Sequence, residues 1–141
     1  MNVLGIDIGG SGVKGAIVDI KSGELLSEKI RFPTPNKPTP KKIFDGIKSN
    51  ILDELKWDGN VGCGFPGVVK KNKIYSAANI EKKWIGLNLK KKFHKKFNLR
   101  CKAINDADAA GLSEIALNPN VLNRGTCLLY TSDAADDSYR V

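Results

Sequence analysis

The chain has 141 residues, 41% of them hydrophobic and 27% charged, and a formal net charge of +8. That composition belongs to a globular, water-soluble chain long enough for one core, and no apolar run approaches membrane-spanning length. Cys63, Cys101 and Cys127 are sparse, odd in number and not spaced as metal ligands, and the N-terminus lacks a signal-peptide pattern, so a cytoplasmic protein with reduced thiols is expected.

The first elements carry the strongest signal. Gly5 to Ile20 read GIDIGGSGVKGAIVDI. A strand over 3–8 ends at an aspartate, a run of small residues follows, and a second strand over 13–19 comes directly behind. Residues 10–15, GSGVKG, fit the dinucleotide pattern G-x-G-x-x-G, but that pattern needs a helix after it. Here β-branched Val13, Ile17, Val18 and Ile20 follow, so a hairpin is predicted and the dinucleotide reading falls away. The P-loop pattern also fails, since no Lys-Ser or Lys-Thr pair closes the glycine run.

A hairpin of this kind suits a phosphate. Gly9, Gly10 and Gly12 lack a Cβ, so they tolerate positive φ and let main-chain amides approach a ligand. Successive amides form a concave anion site, Ser11 adds a hydroxyl and Lys14 a point charge. Asp7 is the natural ligand for Mg²⁺, directly or through water. The segment alone does not separate this reading from an ordinary glycine-rich hairpin in which Asp7 bonds its own turn.

Further along, a third strand is expected over 25–32, followed by an extended connector marked by Pro33, Pro35, Pro38 and Pro40. A helix begins near Thr39 or Pro40, with Ile43, Phe44, Ile47, Ile51, Leu52 and Leu55 at helical spacing, and stops before Trp57-Asp58-Gly59. A short buried strand over 61–65 runs into the turn Pro66-Gly67. A small hairpin follows over Lys71-Asn72, then a loop over 76–86 and an amphipathic helix over 87–97. A strand over 101–104 leads to a helix over 107–117 that Asn105-Asp106 would cap. The order of elements is α/β.

Ile104 to Glu114, INDADAAGLSE, place a polar pair where a strand meets a helix, and open α/β sheets bind ligands at the carboxyl ends of their strands. Asp106 there can accept a proton from an attacking hydroxyl, and Asn105 offers a donor and an acceptor for a sugar hydroxyl. Taken alone, the pair reads first as an N-cap, and the phosphate hairpin earlier in the chain reverses that reading. Lysines cluster at 70, 71 and 73, at 82 and 83, at 90 to 92, and at 95 and 96. Of two readings, simple solvated faces and a polyanion-binding surface, composition alone favours the first. The chain lacks the interleaved aromatics and motifs of a nucleic-acid binder.

The motifs DIGGSGVKG, GFPGVV, AANIEKKWIGLNL and NDADAAG, in this order and spacing, resemble the ROK (repressor, open reading frame, kinase) family of sugar kinases. Within it the likeness is strongest to polyphosphate glucokinases, through KKWIGLN and NDADAAGLSE. The resemblance covers residues 1–126. It implies an actin-like, ribonuclease-H-like ATPase fold of two α/β domains, of which this chain supplies the N-terminal one. It implies transfer of a phosphoryl group from polyphosphate or ATP, with Mg²⁺, to the 6-hydroxyl of glucose, and a homodimer at full length, with neither nucleic acid nor membrane as partner. Asp106 would be the catalytic base, Asn105 a sugar ligand, and Asp7, Gly9, Gly10, Ser11, Gly12 and Lys14 the phosphate hairpin. Asn79 and Gly67 lie in loops that resemble sugar-contacting ones, and Glu81 and Trp84 receive no role.

The alternatives are an ATP-dependent ROK kinase for another hexose or amino sugar, and a non-catalytic sugar-binding or sensor module. The ROK repressors carry a DNA-binding segment ahead of the hairpin, for which Met1 lies too near Asp7. From residue 127 the text CLLYTSDAADDSYRV departs from the family and resembles a translated sequencing adapter, so 127–141 is read as a non-native tail with the C-terminal domain missing. The chain alone is expected to be inactive.

Overall fold

The computed structural model describes residues 1–77 and 80–105. Asn79, Asp106, the helix expected over 107–117 and the tail over 127–141 lie outside the described residues. Strand β1 (Asn2–Ile8) and strand β2 (Gly12–Asp19) form the antiparallel hairpin expected from their β-branched residues, with Asp7 opposite Lys14 and Ile8 opposite Val13. Val3, Leu4, Ile6 and Ile8 are buried while Asp7 is exposed.

The third strand is shorter than expected. β3 (Ile30–Pro33) pairs with β2, but Leu25 meets Val18 only in an isolated bridge. The Ser27 hydroxyl explains the break. It accepts the bond from the Ile17 amide at 2.8 Å, in place of a ladder carbonyl. Leu25 and Leu26 remain exposed as a result, at 52% and 48%.

β4 (Val61–Phe65) lies parallel to β1, and the seventh strand, β7 (Cys101–Asn105), lies parallel to β4, giving a five-stranded sheet in the order β3-β2-β1-β4-β7. Asp7 pairs with Gly64, Gly64 with Ile104, and Phe65 with Asn105, so the three parallel strands end level with one another.

Thr39 and Pro40 open the first helix as expected. The Thr39 hydroxyl accepts from the Lys42 amide at 3.4 Å, and Pro40 takes the first turn, where its missing amide costs nothing. The helix is not uniform: α1 (Pro40–Ile47) widens into a π-helical stretch, Lys48–Leu52, and closes as the short α2 (Asp53–Leu55). Two side chains account for the widening. Ser49 donates to the Asp45 carbonyl at 3.1 Å and Asn50 to the Gly46 carbonyl at 3.0 Å. Both occupy the acceptors that regular helical amides would use.

β5 (Val69–Lys70) and β6 (Lys73–Ile74) make the small hairpin, turned by Lys71 and Asn72 at φ 50° and 67°, the left-handed pair that a two-residue turn needs. α3 (Leu89–Phe97) is capped by Asn88, whose side-chain oxygen accepts from the Lys91 amide at 3.0 Å. The core between sheet and helices centres on aromatic rings. Phe44 lies 5.1 Å from Phe93 and 5.8 Å from Trp84, and Trp84 lies 5.0 Å from Phe65, all distances for attractive ring packing. Trp84 is fully buried and donates its indole N–H to the Pro38 carbonyl at 2.7 Å, which fastens the loop after β6 to the proline connector. Among the described residues no helix is long and apolar enough to cross a membrane.

Candidate active site

The level ends of β1, β4 and β7 gather most of the described residues singled out for chemistry. Asp7 and Lys14 face each other across the first hairpin, both exposed, as directly opposed positions whose Cβ atoms stand about 5 Å apart. The turn between them closes by a bond from the Gly9 amide to the Gly12 carbonyl at 3.0 Å. Thr34 holds it from behind: its hydroxyl donates to the Gly9 carbonyl at 2.7 Å and its amide to the Ser11 carbonyl at 3.3 Å. These bonds take up the carbonyls of Gly9, Ser11 and Gly12 and do not use the amides of the exposed Gly10 and Ser11. Glycines 9, 10 and 12 do not take positive φ, which among described glycines belongs to Gly23 and Gly86. The need at Gly9 is instead close approach, since a Cβ there would stand 2.8 Å from the Gly12 carbonyl oxygen.

Gly67 and Asn105 meet at the neighbouring strand ends. The Asn105 side-chain amide donates to the Gly67 carbonyl, a bond spanning 38 positions of sequence. Gly67 is required by packing, because a Cβ would lie 1.9 Å from the Ser76 carbonyl oxygen. The Ser76 hydroxyl accepts from the Val68 amide at 3.0 Å, so the loop that leads toward Asn79 starts against this strand end. Thr34 and Ser76 were not anticipated from sequence; Thr34 acts through two bonds to a turn more than 20 positions away and Ser76 through one bond across 8 positions, and no local pattern announces either.

Asp7 is one exposed carboxylate, and among the described residues no group of three or more His, Cys, Asp or Glu could hold a metal. One carboxylate beside an anion-binding turn fits Mg²⁺, which takes most of its ligands from phosphate and water. Cys63 and Cys101 are buried in β4 and β7. Burial, reinforced by a hydrogen bond with the Cys63 thiol, pushes the Cys101 thiol well above its ordinary value, which leaves it protonated and unreactive.

The ROK family matches residues 3–127. The chain belongs to the ROK family. It is 38% identical over 129 residues to the polyphosphate glucokinase of Mycobacterium tuberculosis, covering 91% of this chain and 48% of that protein. Its structure resembles the inorganic polyphosphate/ATP-glucomannokinase of Arthrobacter sp. strain KM, with a TM-score of 0.73 and 38% identity over 81% of this chain and 47% of that one. It also resembles a ROK family glucokinase from Streptomyces griseus, solved with glucose and AMPPNP, with a TM-score of 0.69 and 30% identity over 81% and 36% of the two chains. The chain thus spans about half the length of the polyphosphate glucokinase it matches. Its mixed α/β sheet matches the N-terminal portion of ROK sugar kinases with the actin-like ATPase fold.

Proposed function

We propose that this chain is the donor- and sugar-binding half of a kinase that phosphorylates the 6-hydroxyl of glucose from polyphosphate or ATP. The observation that supports it is the common level of three parallel strand ends, which sets the Asp7–Lys14 hairpin beside the Gly67–Asn105 bond. In this reading the amides of Gly10 and Ser11, with Lys14, bind the donor's phosphate, and Asp7 would hold Mg²⁺ through water. Mg²⁺, when bound, neutralises charge on the donor phosphates. Asn105 and the loops of Gly67 and Asn79 bind the sugar.

Asp106, next in sequence to Asn105, takes the proton from the 6-hydroxyl as its oxygen attacks the terminal phosphorus. The bond from that phosphorus to the donor's bridging oxygen breaks, and the shortened polyphosphate or ADP leaves with the electron pair. Phosphoryl transfer asks mainly for such positioning and charge stabilisation. The likeness to a glucomannokinase favours mannose as a second acceptor.

The test uses residues 1–126 joined to the remaining half of the kinase, assayed for glucose 6-phosphate. Asp106→Asn should lower kcat by a factor on the order of 10² or more while glucose still binds. A near-wild-type kcat would reduce Asp106 to a helix cap.

A further inference from the structure

A second cationic feature lies beside β7, an edge strand of the sheet among the described residues. An open groove of about 660 Å³ runs between the Lys71–Asn72 turn, the N-terminus of α3 and the residue before β7. Lys71, Lys90, Lys91 and Arg100 line it with His94 and Asn88, and among the described residues no carboxylate does. The groove runs beside β7 from Arg100 to Asn72, whose side chain accepts the Ala103 amide at 2.8 Å, whereas the Gly9–Gly12 turn follows β1, which β4 separates from β7 in the sheet.

The helix itself points to a missing anion. A helix N-terminus is electropositive and favours acidic residues in its first turn. α3, with the sequence LKKKFHKKF, has no acidic residue there and instead sets Lys90 and Lys91 against the positive end. The ion pairs among the described residues, Lys41–Asp45 and Lys48–Asp53, use none of the groove lysines. A fold that places like charges together at a helix start gains when a polyanion lies across them. Among the described residues the lining holds no Phe, Tyr or Trp and only one imidazole, His94, which offers no succession of platforms for stacked bases and so distinguishes it from a single-stranded nucleic-acid groove.

We infer that this groove is an outer site for linear inorganic polyphosphate, holding a distant stretch of the polymer while its reacting end lies at the Gly9–Gly12 turn. The inference rests on the reading of the chain as part of a polyphosphate-using kinase. Only a polymer long enough to reach both sites gains from the groove, so it favours long polymers over ATP.

The test is binding to the 141-residue chain, wild type against Lys71→Gln/Lys90→Gln/Lys91→Gln, with long-chain polyphosphate, tripolyphosphate and a single-stranded oligonucleotide as probes. The substitution should weaken long-chain polyphosphate about tenfold or more through lost counterion release, and tripolyphosphate less than about twofold. The corresponding Lys→Arg variant should retain binding. If the triple variant fails to fold, Lys71→Gln and Lys90→Gln singly should each cost the polymer several-fold. Unchanged polymer affinity overturns the groove and leaves the kinase reading standing. Absence of polyphosphate binding in the wild type overturns the groove and the polyphosphate donor together, and leaves ATP as the donor of the kinase reading. An oligonucleotide that binds more tightly than polyphosphate makes the groove a nucleic-acid site and overturns the proposal.

Discussion

The turn at residues 9–12 and the turn at Lys71 and Asn72 each reverse a hairpin, yet they spend their polar groups in opposite directions. The first is tied from behind by Thr34 through its carbonyls, so the amides at its exposed tip stay outside the structural bonds. The second turns inward. Asn72 is 3% exposed, accepts the Ala103 amide on its side chain at 2.8 Å, and accepts the Leu89 amide on its carbonyl at 2.8 Å. It therefore joins the small hairpin to β7 and to the start of α3. A turn of bare amides recognises a single anionic group by shape, whereas the lysines around Asn72 act on a polymer by charge density.

Substitutions can break this contrast. Asn72→Ala should cost about 2–3 kcal/mol in urea unfolding, because it strands the buried Ala103 amide and forces alanine into a left-handed turn. Asn72→Gly keeps the backbone and loses only the bond, so it should cost less. Equal and negligible costs for both would mean that Asn72 does not organise the hairpin.

Salt sharpens the contrast on the binding side. Raising salt from about 50 to about 200 mM should weaken long-chain polyphosphate on the order of tens-fold, given the four fixed cations of the groove, and a short donor much less. Equal salt dependence for the two would return the lysines to ordinary solvated faces.

Within the first turn the effects are smaller. Gly9→Ala should cost about 1–2 kcal/mol in thermal unfolding, because its Cβ would press on the Gly12 carbonyl. An unchanged melting temperature would show that close approach is not the reason for Gly9.

The smallest expected effect lies at the far end of the same hairpin. The Lys21 amide, then the Ser22 hydroxyl, donate to Asp19 and hold its carboxyl below the usual value of 3.8. A carboxyl lowered by folding adds stability above its unfolded value, and that contribution is lost as pH falls through the folded one. Asp19→Asn should therefore slightly flatten the acid side of the stability profile. An unchanged slope would show that Asp19 contributes nothing.

Much of this architecture is legible in sequence where the signal is local. Apolar, β-branched runs gave β1 and β2, spacing gave the buried face of α1, and Thr39-Pro40 gave its start. The inward role of Asn72 was not legible, because its side chain reaches Ala103 across 31 positions. Thr34 reaches Gly9 across 25, and read only as part of a connector. β3 shortened and α1 widened because serine and asparagine side chains took main-chain bonds, a competition that periodicity does not register. Of the candidate site, the hairpin and the Asn105–Gly67 pair lie within the described residues; Asp106 and Asn79 lie outside them.

The most direct test of the account is the division of labour at the strand ends. Asp7→Ala and Lys14→Ala, each made in residues 1–126 joined to the remaining half of the kinase, should be compared in steady-state kinetics with donor, Mg²⁺ and glucose varied in turn. The account predicts a raised KM for the donor and a raised Mg²⁺ requirement, with glucose KM nearly unchanged. A collapse of glucose affinity with intact donor kinetics would contradict it.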